Sequence, residues 1–116
     1  AIVGEEDHIA KTAMAERIVD GATAVPKRNR NLLMALSDNH GEPALVADHL
    51  FPTARIGSGI QLNALDFYAC WKLLDGLTDA AFYGRNREYA LGGTPQQLSM
   101  GLWSDGVPVK ELRVLR

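Results

Sequence analysis

The first third of the chain alternates short apolar runs with polar loops, and this pattern predicts a strand, a helix and a second strand. Residues 1–4 form an apolar run that ends at a polar stretch, 5–8. Residues 9–20 carry apolar side chains at helical spacing, with one stripe made of Ile9, Ala13, Met14 and Ile18. Residues 31–36 contain a second apolar run of strand length, flanked by polar residues as in a fully buried strand. Two strands joined by one helix indicate a parallel pair with a right-handed crossover.

The second half of the chain is predicted to be mainly helical. Apolar residues recur at helical spacing through residues 62–82, in a stripe that comprises Leu62, Leu65, Ala69, Leu73, Leu77 and Ala80. We expect this helix to bury four of them: Leu65, Ala69, Leu73 and Leu77. Thr94 as N-cap, followed by Pro95 at the first helical position, predicts a short helix to residue 100. Residues 107–115 are predicted to be extended.

These elements predict an α/β fold in which two parallel strands with a crossover helix precede a mainly helical segment. The whole chain, 1–116, is interpreted as part of one domain. Residues 1–52 would hold the strands and their polar loops, and residues 53–116 the helical segment and the extended tail. The apolar run at residue 1 is typical of a strand interior and no initiator Met precedes it, so we expect the natural protein to continue upstream.

Candidate chemistry lies in the loops that follow the two predicted strands. Asp7 belongs to the first loop and His40 to the second. Functional groups of open α/β sheets cluster where parallel strands end, so neighbouring strands would bring these two side chains together. A carboxylate that orients an imidazole is the acid and base part of a nucleophilic triad.

The chain resembles the C-terminal part of an α/β-hydrolase at two motifs. One is the strand end Ile2-Val3-Gly4-Glu5-Glu6-Asp7, and the other is the strand and loop Met34-Ala35-Leu36-Ser37-Asp38-Asn39-His40-Gly41. The segments 65–73, 89–92 and 103–106 are similar to the dienelactone hydrolase and chlorophyllase-like branches of that family. The resemblance implies ester hydrolysis by a Ser- or Cys-His-Asp triad, with Asp7 as acid, His40 as base and no cofactor.

The nucleophile of such a triad is missing from this sequence. No Gly-x-Ser-x-Gly occurs, and Ser58 lies after the histidine without the strand-to-helix context of a nucleophile elbow. We therefore expect the nucleophile upstream of Ala1 and expect this chain alone to be inactive. A small-molecule ester is the implied substrate of the complete enzyme.

Other roles remain open for each candidate residue. Asp7 could simply cap the following helix. His49, within Ala47-Asp48-His49-Leu50, is the main rival of His40 as the base, whereas His8 is interpreted as a bystander. A noncatalytic α/β binding module and, less favoured, a His/Asp metal site are alternative functions, although the spacing of these residues matches no standard metal motif.

Composition narrows the choice of partners. Twelve Lys and Arg against 14 Asp and Glu give no positive surface for nucleic acid or an acidic membrane. The single cysteine, Cys70, allows no intrachain disulfide and lies in an apolar run, where a buried thiol is the common outcome. No apolar stretch is long enough to predict a transmembrane helix. We also expect part of the wide apolar surface of the 62–82 helix to be exposed, with self-association as a consequence.

Overall fold

A computed structural model describes residues 1–52 and 62–116, and its centre is a sheet of three short strands. The strands β1 (Ile2–Gly4), β2 (Leu33–Ala35) and β3 (Arg113–Val114) are hydrogen-bonded in the order β1-β2-β3. β1 and β2 are parallel, with Val3 opposite Met34, and β3 runs antiparallel to β2. The predicted parallel pair is therefore confirmed, and the extended tail adds a strand that makes the sheet mixed.

The crossover between β1 and β2 contains the helix α1 (Lys11–Gly21), followed by a 3₁₀ turn at Lys27–Asn29. Its packing differs from the predicted stripe, because Ile9, Met14 and Ile18 are exposed. Val19 is instead the buried residue of the helix and joins Val3 and Leu32 in a small apolar cluster. The helix thus rests on the sheet through another of its faces.

The predicted helix over 62–82 consists of a π-helical segment, Leu65–Trp71, that continues into α2 (Lys72–Tyr83). Leu65, Ala69 and Leu73 are buried as expected. The expectation for Leu77 is wrong, since this side chain is 43% exposed. Hydrogen bonds from i to i+5 widen the π-helical turn, so a stripe drawn with 3.6 residues per turn loses its phase after this segment. Gly76 takes the inward position and packs against residues 89–90.

The rest of the chain closes the fold over the second face of the sheet. A 3₁₀ turn at Arg87–Tyr89 precedes α3 (Pro95–Leu98), whose first turn is capped by Thr94 as predicted: its hydroxyl oxygen accepts the Gln97 amide at 3.1 Å. The main core joins β2 to the long helix (residues 65–83) and to the tail (residues 99–116). Its largest members include Leu33, Leu65, Leu73, Met100 and Leu112. Over the described ranges, no helix has the length and apolar character needed to cross a bilayer.

Candidate acid–base site

Asp7 sits in a turn between β1 and α1 and is fixed by the backbone around it. Its amide donates to the carbonyl of Gly4 at 3.2 Å, which closes the turn after the strand. Its Oδ1 accepts the amides of Ile9 at 3.0 Å and Ala10 at 2.8 Å. Asp7 does not cap α1 itself, because the N-cap residue of that helix is Ala10 and no side chain caps it. Instead, one oxygen of the Asp7 side chain, which is 9% exposed, holds the turn that precedes the helix.

The second oxygen of the Asp7 carboxylate binds a histidine. Oδ2 of Asp7 lies 3.0 Å from Nδ1 of His49, whose side chain is 42% exposed. This hydrogen bond, together with the two backbone donors, holds the pKa of Asp7 below its usual range. A carboxylate that stays ionised can only accept from Nδ1, so the proton of the neutral imidazole lies on Nδ1 and Nε2 keeps its lone pair.

His49 is brought to Asp7 by a long loop that folds back along the end of β1. Asp38 and Leu45 pair through both of their backbone groups, at 2.9 and 2.8 Å, which makes the loop return on itself. The Ala47 amide then donates to the Ser37 hydroxyl at 3.0 Å. The Ala47 carbonyl accepts the Glu6 amide at 2.9 Å, so the residues before His49 are bonded to the turn that contains Asp7.

The approach of this loop to β1 requires glycine at position 4. A Cβ atom built on Gly4 would overlap the carbonyl of Ala47, an atom of the backbone that cannot rotate away. Ala47 itself is fully buried, so its backbone is packed among neighbouring atoms and could not shift without displacing them. Gly4 therefore contributes to the site indirectly, by letting the His49 loop lie against the strand that leads to Asp7.

The prediction that Asp7 contacts His40 is wrong, because the imidazole that Asp7 binds belongs to His49. His40 lies instead against the C-terminal part of the chain, with Nε2 2.8 Å from Oδ2 of Asp105. Its ring also packs beside Trp103, with 5.9 Å between the centroids. His40 and Asp105 are both well exposed, as in an ordinary surface ion pair.

Asp38 is the anchor that holds His40 at this second position. Its carboxylate accepts the His40 amide at 3.2 Å, the Trp103 indole N–H at 3.1 Å and the Lys110 amide at 3.0 Å. Burial raises the pKa of Asp38, but these donors outweigh burial and leave the pKa lowered. Residues far apart in the sequence thus meet on one carboxylate, which the local pattern around His40 does not reveal.

The other predicted candidates lie apart from the Asp7–His49 pair or outside the described residues. His8 has no side-chain hydrogen bond to any residue that the structure describes. Ser58 falls outside the described ranges. Nowhere in residues 1–52 and 62–116 do three His, Cys, Asp or Glu side chains gather so that they could hold a metal ion. Cys70 is only partly buried rather than buried as expected. This partial burial, helped by the nearby charge of Asp66, raises the pKa of its thiol.

Comparison of the chain with protein-family models, curated proteins and solved structures finds no match in any of the three. The geometry around Asp7 and His49 and the two sequence motifs are therefore the observations that bear on function.

Proposed function

We propose that this chain supplies the acid and the base of a carboxylic ester hydrolase that works through a nucleophilic triad, with Asp7 as acid and His49 as base. The observation that carries the proposal is the 3.0 Å contact between Oδ2 of Asp7 and Nδ1 of His49. It directs the lone pair of the imidazole to Nε2, which is the nitrogen that must accept a proton from the nucleophile. The resemblance to α/β-hydrolases, in which the acid precedes the histidine along the chain, supports the same roles.

The proposed reaction uses His49 twice in each half of the cycle. As the nucleophile bonds to the ester carbonyl carbon, its O–H or S–H proton passes to Nε2 of His49. The imidazolium then gives this proton to the leaving alkoxide while the ester C–O bond breaks. Water repeats both steps on the acyl-enzyme and releases the carboxylic acid. Throughout, Asp7 holds Nδ1 and stabilises the positive charge that forms on the ring.

The nucleophile in this proposal comes from outside the chain. The sequence has no Gly-x-Ser-x-Gly elbow. Within the ranges that the structure describes, no serine, threonine or cysteine side chain is hydrogen-bonded to His49. An upstream segment that carries a serine or cysteine elbow and the oxyanion donors would complete the site.

The test is ester hydrolysis by a protein in which this chain is joined to the segment that its coding sequence places before Ala1. We expect His49→Ala to abolish turnover and Asp7→Asn to lower it by a factor on the order of 10⁴, because the imidazole would then favour the wrong tautomer. His40→Ala and Ser58→Ala are the matched controls and should keep activity, since neither residue belongs to the proposed pair.

Each other outcome points to a different conclusion. An inactive His40→Ala beside an active His49→Ala would return the role of base to His40. Full activity in both histidine variants would end the triad proposal. Ligand binding with no turnover in the extended protein would favour the alternative, a noncatalytic binding module.

A further inference from the structure

A cavity of about 770 Å³ lies beside the loop that carries His49. Asp48 and Leu50, the residues on either side of His49, both line it. Residues from the start of the π-helical segment and from the tail form its other walls, including Asp66 and Trp103. This volume is within the range of cavities that bind small molecules, roughly 300–1,000 Å³.

The charged side chains among the described lining residues of the cavity are all acidic. Three of the residues that line it are the acids Glu42, Asp48 and Asp66, and no Lys, Arg or His is found among its described lining residues. Asp66 is only 5% exposed, so its charge is less screened by water than that of the other two. A ligand carboxylate would be repelled by all three groups, whereas a positive charge on the ligand would be attracted by them.

The remaining walls are suited to an apolar chain. Leu45, Val46, Leu102 and Val109 supply aliphatic surface, and Phe51 and Trp103 supply aromatic rings. Burial of an apolar ligand chain against such walls gives affinity without regard to charge. Aromatic rings also attract cations, which adds to the preference that the carboxylates create.

We propose that this cavity binds a small molecule that joins an apolar chain to a positively charged group, and that it excludes anionic ligands. Where the ligand is the substrate, the inference rests on the proposed function: the ester would carry an amine or a quaternary ammonium group on the part that enters the cavity. The charge preference itself is a property of this chain and can be measured without hydrolysis.

The experiment uses the fluorescence of Trp103, because the chain has only two tryptophans and the other, Trp71, is not among the lining residues. The Trp71→Phe variant is titrated with hexyltrimethylammonium, 1-hexanol and hexanoate at neutral pH and low salt. We expect the ammonium to bind tightest and hexanoate weakest, with Kd values that differ by a factor on the order of ten or more. Added salt should narrow the difference.

Charge removal then tests the source of the preference. In the same background, Asp66→Asn should lower the affinity ratio of ammonium to hexanoate by roughly tenfold, since an amide keeps the acceptor for the Asn63 amide but not the charge. Asp75→Asn, an exposed change on α2 away from the cavity, should leave the ratio unchanged. If circular dichroism finds Asp66→Asn unfolded, the double variant Glu42→Gln/Asp48→Asn carries the same expectation.

Equal affinity for the three probes, tightest binding of hexanoate, or no response of Trp103 would each overturn the inference. None of the probes is an ester, so their binding does not depend on a nucleophile. The charge preference can therefore hold while the ester assay fails, and the ester assay can succeed while the charge preference fails.

Discussion

Asp7 divides its two carboxylate oxygens between backbone amides and a histidine side chain. Oδ1 accepts two backbone amides at the start of the crossover, and Oδ2 accepts from His49. One oxygen therefore holds the turn before α1, while the other is left to bind the imidazole. The choice between His40 and His49 could not be made from the sequence, because it depends on Asp38 and Asp105 holding His40 elsewhere.

At this scale we predict a pH dependence of stability that belongs to Asp7. The pKa of Asp7 is lowered in the folded protein, so its ionised form stabilises the fold above the unfolded value of about 3.9, and this contribution is lost as the pH falls through the folded value. Urea unfolding is measured at a series of pH values from about 5 downward. The free energy of unfolding of the original chain should fall toward that of Asp7→Asn as the pH decreases. A difference in free energy of unfolding that stays constant across this range would contradict the pairing of Asp7 with His49.

The neutral form of His49 should also show its proton on Nδ1 by ¹⁵N NMR, and Asp7→Asn should remove that preference.

At the scale of elements, the long helix and the short helix α3 are joined by one lysine. Nζ of Lys72 donates to the carbonyls of Gln96, Gln97 and Ser99 at 3.0, 2.7 and 2.6 Å. These carbonyls belong to the end of α3, where a helix has acceptors without partners of its own. Burial lowers the pKa of Lys72 to about 8, which still leaves the amine mostly protonated, with three donors, at neutral pH.

We predict that Lys72→Met lowers the free energy of unfolding by about 1–3 kcal/mol, because Met replaces the apolar stem but leaves the carbonyls without a donor. Lys72→Arg should recover part of the loss, since the guanidinium can still donate. Chemical denaturation at neutral pH, monitored by circular dichroism, measures both changes. A Lys72→Met protein as stable as the original would mean that water replaces the lysine at no cost.

The elements themselves differ in how far the sequence could predict them. The parallel pair follows from two apolar runs and one helical segment that are consecutive in the chain, so local pattern is enough. The third strand is different, because Arg113–Val114 pairs with a strand some 80 residues earlier and lies within a segment that the sequence describes only as extended. The π-helical turn at Leu65–Trp71 likewise has no signature in apolar spacing, and it displaced Leu77 from the predicted core.

At the scale of the whole molecule, apolar side chains are exposed to solvent on α1 and on the long helix. Met14 and Ile18 are one turn apart on α1 and both are more than half exposed, and Phe82 near the end of α2 is also largely exposed. β1 is an edge strand of the described sheet, so its outer backbone groups have no partner strand there. Single exposed apolar residues are common in soluble proteins, but neighbouring ones on one helix face favour association.

The prediction at this scale is that the chain associates with itself through the α1 surface formed by Met14 and Ile18. In sedimentation velocity experiments, the average sedimentation coefficient should rise with protein concentration, because burial of these side chains gains about 25 cal/mol per Å² of apolar area. Met14→Gln/Ile18→Gln should weaken this rise without unfolding the chain, since both positions are exposed in the monomer. Phe82→Ser, which removes exposed apolar surface from another helix, is the control and should have a smaller effect. A monomer at every concentration would contradict the prediction, and an equal effect of both changes would mean that association does not depend on α1 in particular.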